Sequence, residues 1–234
     1  MVLTAVLLDL DGTLFDHATA ALQGQRAWFD ALGRRSTPAL EAAWTVAEQR
    51  HFRSWREGEI SFDEQRRRRL REVLPLLGLP VGDDSELDLL FAQGYLRAYR
   101  DAWCAFDDVE PALRAIHAAG LRTAVLTNGT REQQNAKIDA LGLTGRLGPV
   151  VTSEELGVAK PRPEAFLRVC DRLGVRPHDT LYVGDDHAVD VLAARAAGLR
   201  AVHLDRTGAG PSCETARMGS LRELAAHLAD QQAQ

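Results

Sequence analysis

Residues 5–13 read AVLLDLDGT, a short apolar run that ends abruptly in acidic residues, a glycine and a threonine. A run of apolar residues followed by turn-forming residues is typical of a β-strand buried on both faces of a sheet. Strands of this kind belong to parallel sheets, which bind ligands beyond the carboxyl ends of their strands. We therefore predict that Asp9 and Asp11 lie at the carboxyl end of a first, buried strand.

The sequence pattern changes directly after this strand. From about residue 19 to residue 99 the chain is rich in Ala, Leu, Arg, Glu and Gln, with apolar residues at helical spacing. Turn signals near 33–38, 58–62 and 78–85 divide this stretch into several helices. We predict that residues 17–103 form an all-helical domain inserted after the first strand.

Beyond this insertion, short apolar runs alternate with helical patterns. Further strands are predicted at 123–126, 150–152, 180–183 and 201–204. Further helices are predicted at 109–119, 131–141, 163–173, 189–197 and 221–229. This alternation predicts an α/β fold, a doubly wound, Rossmann-like parallel sheet with right-handed crossovers and helices on both faces. Its catalytic core would comprise residues 1–16 and 104–234.

Polar residues follow four of the predicted strands. They are Asp9 and Asp11 after the first, Thr127, Asn128 and Gly129 after the second, Lys160 in the loop after the third, and Asp185, Asp186 and Asp190 after the fourth. Carboxylates crowded into one crevice raise one another's pKa unless a cation neutralises them. Oxygen ligands without suitably spaced His or Cys favour Mg²⁺ over zinc. The sequence therefore predicts a magnesium site at this edge of the sheet.

Four short motifs, in order, resemble those of the haloacid dehalogenase superfamily of phosphohydrolases. They are DLDGTL at 9–14, LTNG at 126–129, KP at 160–161, and GDD at 184–186 followed by Asp190. The resemblance spans nearly the whole chain. It implies a magnesium-dependent phosphatase that passes through an aspartyl-phosphate, with a helical cap of the family's first type that closes over the crevice and excludes water.

The resemblance also implies roles for the acidic residues. Asp9 would be the nucleophile and a metal ligand. Asp11 would be the general acid and then the general base, with its backbone carbonyl on the metal. Asp185 would ligate the metal directly, with Asp186 or Asp190 assisting through water.

The remaining motif residues are implied to bind the phosphoryl group. Thr127 and Asn128 would hold it, and the backbone N–H groups at Asn128 and Gly129 would supply further donors. Lys160 would balance the charge between Asp9 and the phosphate. The expected substrate is a small phosphorylated metabolite.

Related proteins with the same fold catalyse other reactions. A dehalogenase of the family lacks the second acid of the first motif, so Asp11 favours phosphoryl transfer. The phosphonate-cleaving branch needs a lysine in the cap, and no lysine precedes Lys137. A phosphomutase of the β-phosphoglucomutase type remains the main alternative, followed by a receiver-like or non-catalytic phosphate-binding protein.

The composition of the chain limits the kinds of binding partner that can be expected. A net charge of −5 with no basic stripe argues against nucleic acid, and no apolar run approaches the ~20 residues that span a membrane. Three scattered cysteines favour a reducing compartment, here the cytoplasm, and a monomer or homodimer is expected. The basic residues are 26 arginines and two lysines, a bias that we attribute to codon usage.

Two features of the insertion carry structural expectations. The arginine run 66–69 is predicted to be solvated helix surface, because four consecutive helical residues point around the whole circumference. Trp28, Phe29, Trp44 and Phe52 recur at helical spacing and are predicted to form the core of the cap.

Overall fold

A computed structural model of the chain describes residues 2–232. Residues up to His17, together with those from Cys104 onward, form one compact unit, and Ala18–Trp103 form a second. Within the described residues, no helix combines the length and the apolar character needed to cross a membrane.

The first unit is built on six parallel strands in the order β3-β2-β1-β4-β5-β6. The strands are β1 (Ala5–Leu8), β2 (Arg122–Thr127), β3 (Val150–Thr152), β4 (Thr180–Gly184), β5 (Arg200–Leu204) and β6 (Arg217–Met218). The predicted fold class is confirmed. Strand β6 was not predicted, because two residues carry no periodic signal.

The helices that cover this sheet follow its strands in the chain. They are α6 (Val109–Ala118), α7 (Arg131–Ala140), α8 (Ser153–Leu156), α9 (Pro163–Leu173), α10 (Ala193–Ala196) and α11 (Leu224–Gln232). One face of the sheet packs Leu7, Leu126 and Tyr182 against Phe166 and other residues of α8 to α10. Leu8, on the alternate face of β1, is equally buried, so helices cover both faces. A π-helical turn, His187–Leu192, replaces the start of the helix predicted at 189–197.

The second unit is entirely helical. It contains α1 (His17–Ala31), α2 (Pro38–Arg56), α3 (Phe62–Leu76), α4 (Asp84–Leu90), a π-helical turn (Phe91–Tyr95) and α5 (Leu96–Asp101), with the first residue of α1 belonging to the other unit. Trp28, Phe29 and Trp44 are buried and in mutual ring contact, whereas Phe52 is only half-buried. The prediction of an aromatic core therefore holds for three of these four residues.

One member of the arginine run is not solvated. Arg69 is buried, with its guanidinium carbon 4.5 Å from the centre of the Trp44 ring and an Nη2 atom 2.8 Å from Glu48 Oε1. The helix α3 buries Gln65, Arg69 and Val73 at a spacing of four residues, so this arginine falls on the packed face. The prediction of a fully solvated run is wrong at this position because a run of four residues always includes one that faces the core.

Two neighbouring residues of α9 test the packing of the first unit. We expect Phe166→Ala to lower the free energy of unfolding by about 3–5 kcal/mol, because its ring is fully buried against the sheet. Leu167→Ala is the matched control, since its side chain is exposed, and should cost no more than about 1 kcal/mol. Urea unfolding measures both, and equal losses would contradict the described core.

Candidate active site

The carboxyl ends of three neighbouring strands bring the predicted residues together. Strand β1 lies between β2 and β4, so Asp9, which follows β1, has Thr127 on one side and Asp185 on the other. The chain order also reverses between β1 and β4, which is where doubly wound sheets open a ligand crevice. Residues far apart in the sequence thus share one edge of the sheet.

Lys160 is the centre of this group. Its Nζ atom donates hydrogen bonds to Asp9 Oδ1 at 2.5 Å, Asp190 Oδ1 at 2.6 Å and Tyr182 Oη at 2.9 Å. The side chain is almost completely buried. An ammonium group has three protons, and these three contacts use all of them. The position of Lys160 is therefore fixed by two carboxylates and one phenol.

The crowding of charges shifts the pKa of each group. Burial raises the pKa of Asp9 well above its ordinary value, and the neighbouring carboxylates of Asp190 and Asp185 add to this effect against the opposing charge of Lys160. Burial alone would lower the pKa of Lys160, but Asp190 and Asp9 hold it well above its usual range. Although Asp185 keeps access to solvent, the surrounding protein and the charge of Asp190 raise its pKa to about 7.

Asp9, Asp185 and Asp190 form a group that fits a metal ion. One carboxylate oxygen from each lies within 4.8 Å of the other two. When all are ionised, three negative charges stand against the single positive charge of Lys160, which leaves a net charge of −2. All three donors are hard oxygens, which suit a hard divalent cation. The group can therefore hold one such ion, which would remove the repulsion that raises its pKa values.

Asp186 lies next to this group, but its carboxylate has another partner. Its Oδ1 atom accepts hydrogen bonds from the backbone N–H groups of Ala188 and Val189, both at 3.0 Å, and so caps the following helical turn. Its own N–H donates to Asp190 Oδ2 at 3.1 Å. Of the two residues predicted to assist the metal, Asp190 belongs to the carboxylate group and Asp186 helps to orient it.

Two glycines let the backbone approach these carboxylates. Gly12 has φ of 84°, and a Cβ atom there would lie 2.2 Å from Asp185 Oδ2. A Cβ atom on Gly184 would lie 2.4 Å from Asp190 Oδ2. Any side chain at either position would displace an acid of the cluster.

The threonine of the second motif is buried and oriented by a neighbour. Thr127 Oγ1 accepts a hydrogen bond from Gln134 Nε2 at 2.5 Å. Because the hydroxyl oxygen already accepts this bond, its own proton can be donated to another acceptor, such as a phosphoryl oxygen. The predicted role of Thr127 in binding phosphate stays a prediction that this geometry favours.

The other residues of that motif make contacts within the protein. The Asn128 side chain forms two hydrogen bonds with the backbone of Lys160, one donated to its carbonyl and one accepted from its N–H, both at 2.9 Å. The N–H group of Gly129 donates to Ser153 Oγ at 3.0 Å. Asn128 therefore positions Lys160, a function that its place in the sequence did not reveal.

Three further residues of the site were missed by the sequence analysis. Lys137 Nζ donates a short hydrogen bond to Asp11 Oδ1, and Gln134 Nε2 donates to Asp11 Oδ2 at 2.9 Å. Tyr182, the third, contacts Lys160 from inside β4. Burial alone would raise the pKa of Asp11. The pKa is nevertheless lowered, mainly by the charges of Lys137 and His17.

A sequence signal for two of these residues did exist. Gln134, Lys137 and Ile138 are spaced to share the buried face of α7, which begins two residues after Gly129. Polar residues on the buried face of a helix need partners, and the nearest acids are those of the first motif. The helical spacing of Gln134 and Lys137 is therefore the pattern from which both residues could be predicted.

The fold and the site together define an α/β enzyme with a cluster of carboxylates at the switch point of its sheet. The family model of the haloacid dehalogenase-like hydrolases matches residues 3–198, and the chain belongs to this family of hydrolases.

Similar proteins within the family differ in their reactions. The chain is 31% identical to a glyceraldehyde 3-phosphate phosphatase of Methanopyrus kandleri, covering 86% of this chain and 84% of that protein. It is 30% identical to (S)-2-haloacid dehalogenase 1 of a Pseudomonas species, with the same coverage of 86% and 84%. A magnesium-bound crystal structure of the Bacillus subtilis HAD-hydrolase YfnB superposes with a TM-score of 0.83 at 23% identity, over 98% of this chain and 100% of that one.

Adjacent acids allow a matched test of the metal group. We expect Mg²⁺ to raise the melting temperature, because an ion bound only to the folded state stabilises it. Asp185→Asn should remove most of this shift, and should not destabilise the metal-free protein, since it relieves repulsion with Asp190. Asp186→Asn is the control, because asparagine also caps helices, and it should keep the shift. Differential scanning calorimetry distinguishes the two, and loss of the shift in Asp186→Asn would make that residue a ligand.

Proposed function

We propose that the protein is a magnesium-dependent phosphatase that hydrolyses small phosphate monoesters through an aspartyl-phosphate on Asp9. The observation that carries this proposal is the position of Asp11. Its carboxylate is joined through Gln134 to the hydroxyl of Thr127. An acid–base group is thereby tied to a hydroxyl suited to a phosphoryl oxygen.

The leaving group decides between the two reactions found among the relatives. An alkoxide leaving a phosphate ester needs a proton, whereas a halide leaving carbon does not. Lys137 favours the ionised form of Asp11 in the free protein, and the negative charge of a bound phosphate ester would raise the pKa of Asp11 so that it takes up the proton it then supplies. Its side chain remains about one-third exposed. A second acid therefore favours phosphate ester hydrolysis over dehalogenation.

The first step forms the covalent intermediate. Lys160 occupies Oδ1 of Asp9, which leaves Oδ2 to attack phosphorus. The new bond joins Asp9 Oδ2 to phosphorus, and the bond between phosphorus and the ester oxygen breaks. The departing oxygen takes the proton of Asp11 and leaves as an alcohol.

The second step restores the enzyme. Asp11, now ionised, removes a proton from a water molecule whose oxygen attacks phosphorus. The bond between phosphorus and Asp9 breaks, which releases inorganic phosphate and returns Asp9 to its carboxylate form. The proton taken up by Asp11 prepares it for the next substrate.

Asp9, Asp185 and Asp190 would hold the metal ion, together with the backbone carbonyl of Asp11. When bound, Mg²⁺ supplies positive charge that offsets the repulsion between the Asp9 carboxylate and an anionic substrate. Lys160 supplies a second positive charge at the same carboxylate and keeps it oriented.

The proposed substrate class rests on the relatives. Besides the glyceraldehyde 3-phosphate phosphatase, they include a phosphoserine phosphatase of Thermus thermophilus and phosphoglycolate phosphatases, all acting on small metabolites by name. The three cysteines of this chain are free thiols, which fits a reducing compartment such as the cytoplasm.

Phosphate release from a panel of phosphorylated metabolites, with and without Mg²⁺, tests the proposal. We expect Asp9→Asn to abolish turnover because it removes the nucleophile. Asp11→Asn should lower turnover of alkyl monoesters by roughly 100-fold or more, the usual contribution of a general acid. Asp107→Asn is the matched control, since this carboxylate is exposed and pairs with Arg222. Full activity of Asp9→Asn would refute the mechanism.

The relatives named dehalogenases make a second assay necessary. Halide release from a 2-haloalkanoic acid should be absent, since the site is built for a leaving group that needs a proton. A mutase would convert a hexose 1-phosphate to the 6-phosphate without releasing phosphate. Either result in place of phosphate release would reassign the reaction while keeping Asp9 as the nucleophile.

A further inference from the structure

The Asp11 carboxylate is held at both of its oxygens. Lys137 donates to Oδ1 and Gln134 donates to Oδ2. Both donors are more than 95% buried, whereas the Asp11 side chain is 31% exposed. The two donors therefore approach from the protein interior and leave the solvent side of the carboxylate open.

The orientation of Gln134 follows from its surroundings. Its Nε2 atom lies 2.9 Å from Asp11 Oδ2 and 3.2 Å from the backbone carbonyl oxygen of Asn128. A carbonyl oxygen and an ionised carboxylate can only accept, so the atom that faces them must be the amide nitrogen. This nitrogen has two protons for three contacts, so the hydroxyl of Thr127 at 2.5 Å and Asp11 are its nearer acceptors and the contact with Asn128 at 3.2 Å shares a proton. One amide group thus fixes the acid–base residue and the phosphate-binding residue relative to each other.

Lys137 has one acidic partner among the described residues. Its ammonium group pairs with Asp11 and lies 4.9 Å from the centre of the Phe15 ring, which adds a cation–π contact. Burying a lysine is unfavourable unless its charge is paired. The arrangement is stable only while Asp11 keeps the orientation that meets it.

We propose that Lys137 and Gln134 are positioning residues that hold the Asp11 carboxylate in the orientation needed for proton transfer to and from the crevice. This inference rests on the proposed phosphatase function, in which Asp11 exchanges a proton first with the leaving oxygen and then with water. Each carboxylate oxygen has a second lone pair that neither donor occupies. The two hydrogen bonds therefore orient Asp11 and leave it able to exchange a proton.

The proposal makes a prediction about leaving groups. The value of kcat/KM reports only the steps up to release of the alcohol, where Asp11 acts as the acid. An alkyl leaving group depends on that acid, whereas p-nitrophenol leaves readily as an anion. A misplaced Asp11 therefore slows the first step for alkyl esters and the second step, hydrolysis of the aspartyl-phosphate, for both kinds of ester.

The variant Lys137→Met removes the charge and keeps the length of the side chain. We expect its kcat/KM for the best alkyl phosphate of the panel to fall roughly tenfold or more, and that for p-nitrophenyl phosphate to stay within about threefold of wild type. With the aryl ester, rapid mixing should show a burst of p-nitrophenol followed by slower turnover, because the aspartyl-phosphate accumulates. Equal losses for both esters, or no loss, would overturn the proposal.

Arg176→Met is the matched control. Arg176 pairs with the buried Asp179 at the amino end of β4, on the opposite edge of the sheet. This variant also deprives a carboxylate of its cation, but it should leave the ratio of the two kcat/KM values unchanged. A purely structural role for Lys137 would make Lys137→Met behave in the same way, with equal losses for both esters and a smaller burst amplitude.

Two further variants keep the test decisive. In an Asp11→Asn background, Lys137→Met should have little additional effect on the alkyl ester, because residues that act through one group are not additive. Gln134→Met should show the same preference for the aryl ester, and it decides the question if Lys137→Met does not fold. If the wild type releases phosphate but the losses caused by Lys137→Met and Asp11→Asn add up, the positioning role is refuted and the proposed function stands. Absence of phosphate release by the wild type refutes the proposed function instead.

Discussion

The ion pairs of Lys160 with Asp9 and Asp190 are the constraint on which the site depends. Three carboxylates share one edge of the sheet, and burying Asp9 and Asp190 without a counter-charge would cost several kcal/mol for each ion. One ammonium group satisfies part of that demand and leaves a net charge of −2. Burial, together with the charges of Asp190 and Asp185, raises the pKa of Asp9, and the net charge is matched by a single divalent cation. The net negative charge that destabilises the metal-free site therefore also favours the binding of a divalent cation.

The order of the strands explains why these residues meet. The chain builds the sheet outward from β1 through β2 to β3, and then returns to add β4, β5 and β6 on the other side. Asp9 therefore lies at the point where the winding reverses, with residues from both halves beside it. Close approach then requires Gly12 and Gly184, whose missing Cβ atoms leave room for Asp185 and Asp190. The clustering of the carboxylates and the close approach of the backbone both follow from one topology.

Much of this arrangement could be predicted from the sequence. Apolar runs that end in Asp9, Thr127 and Asp185 indicate both the strands and the edge at which their side chains meet, and the structure confirms the parallel α/β fold. The local pattern does not show which partner each side chain has. It does not reveal, for example, that the Asn128 side chain holds the backbone of Lys160. The burial of Arg69 was missed for a related reason, since a run of arginines does not show which member faces the helix interior.

The distribution of lysine gives a final physical argument for the site. Of the 28 basic residues only two are lysines, and both are buried, one paired with Asp9 and the other with Asp11. Codon bias accounts for the abundance of arginine, but it does not explain why lysine occurs at positions 137 and 160. Arginine presents a wide planar fork with five donors, whereas an ammonium group is a compact point charge with three. Lys160 meets three oxygen acceptors with its three protons, and a guanidinium in the same space would leave buried donors without partners. The two carboxylates of the first motif therefore pair with a cation that occurs nowhere else in the sequence.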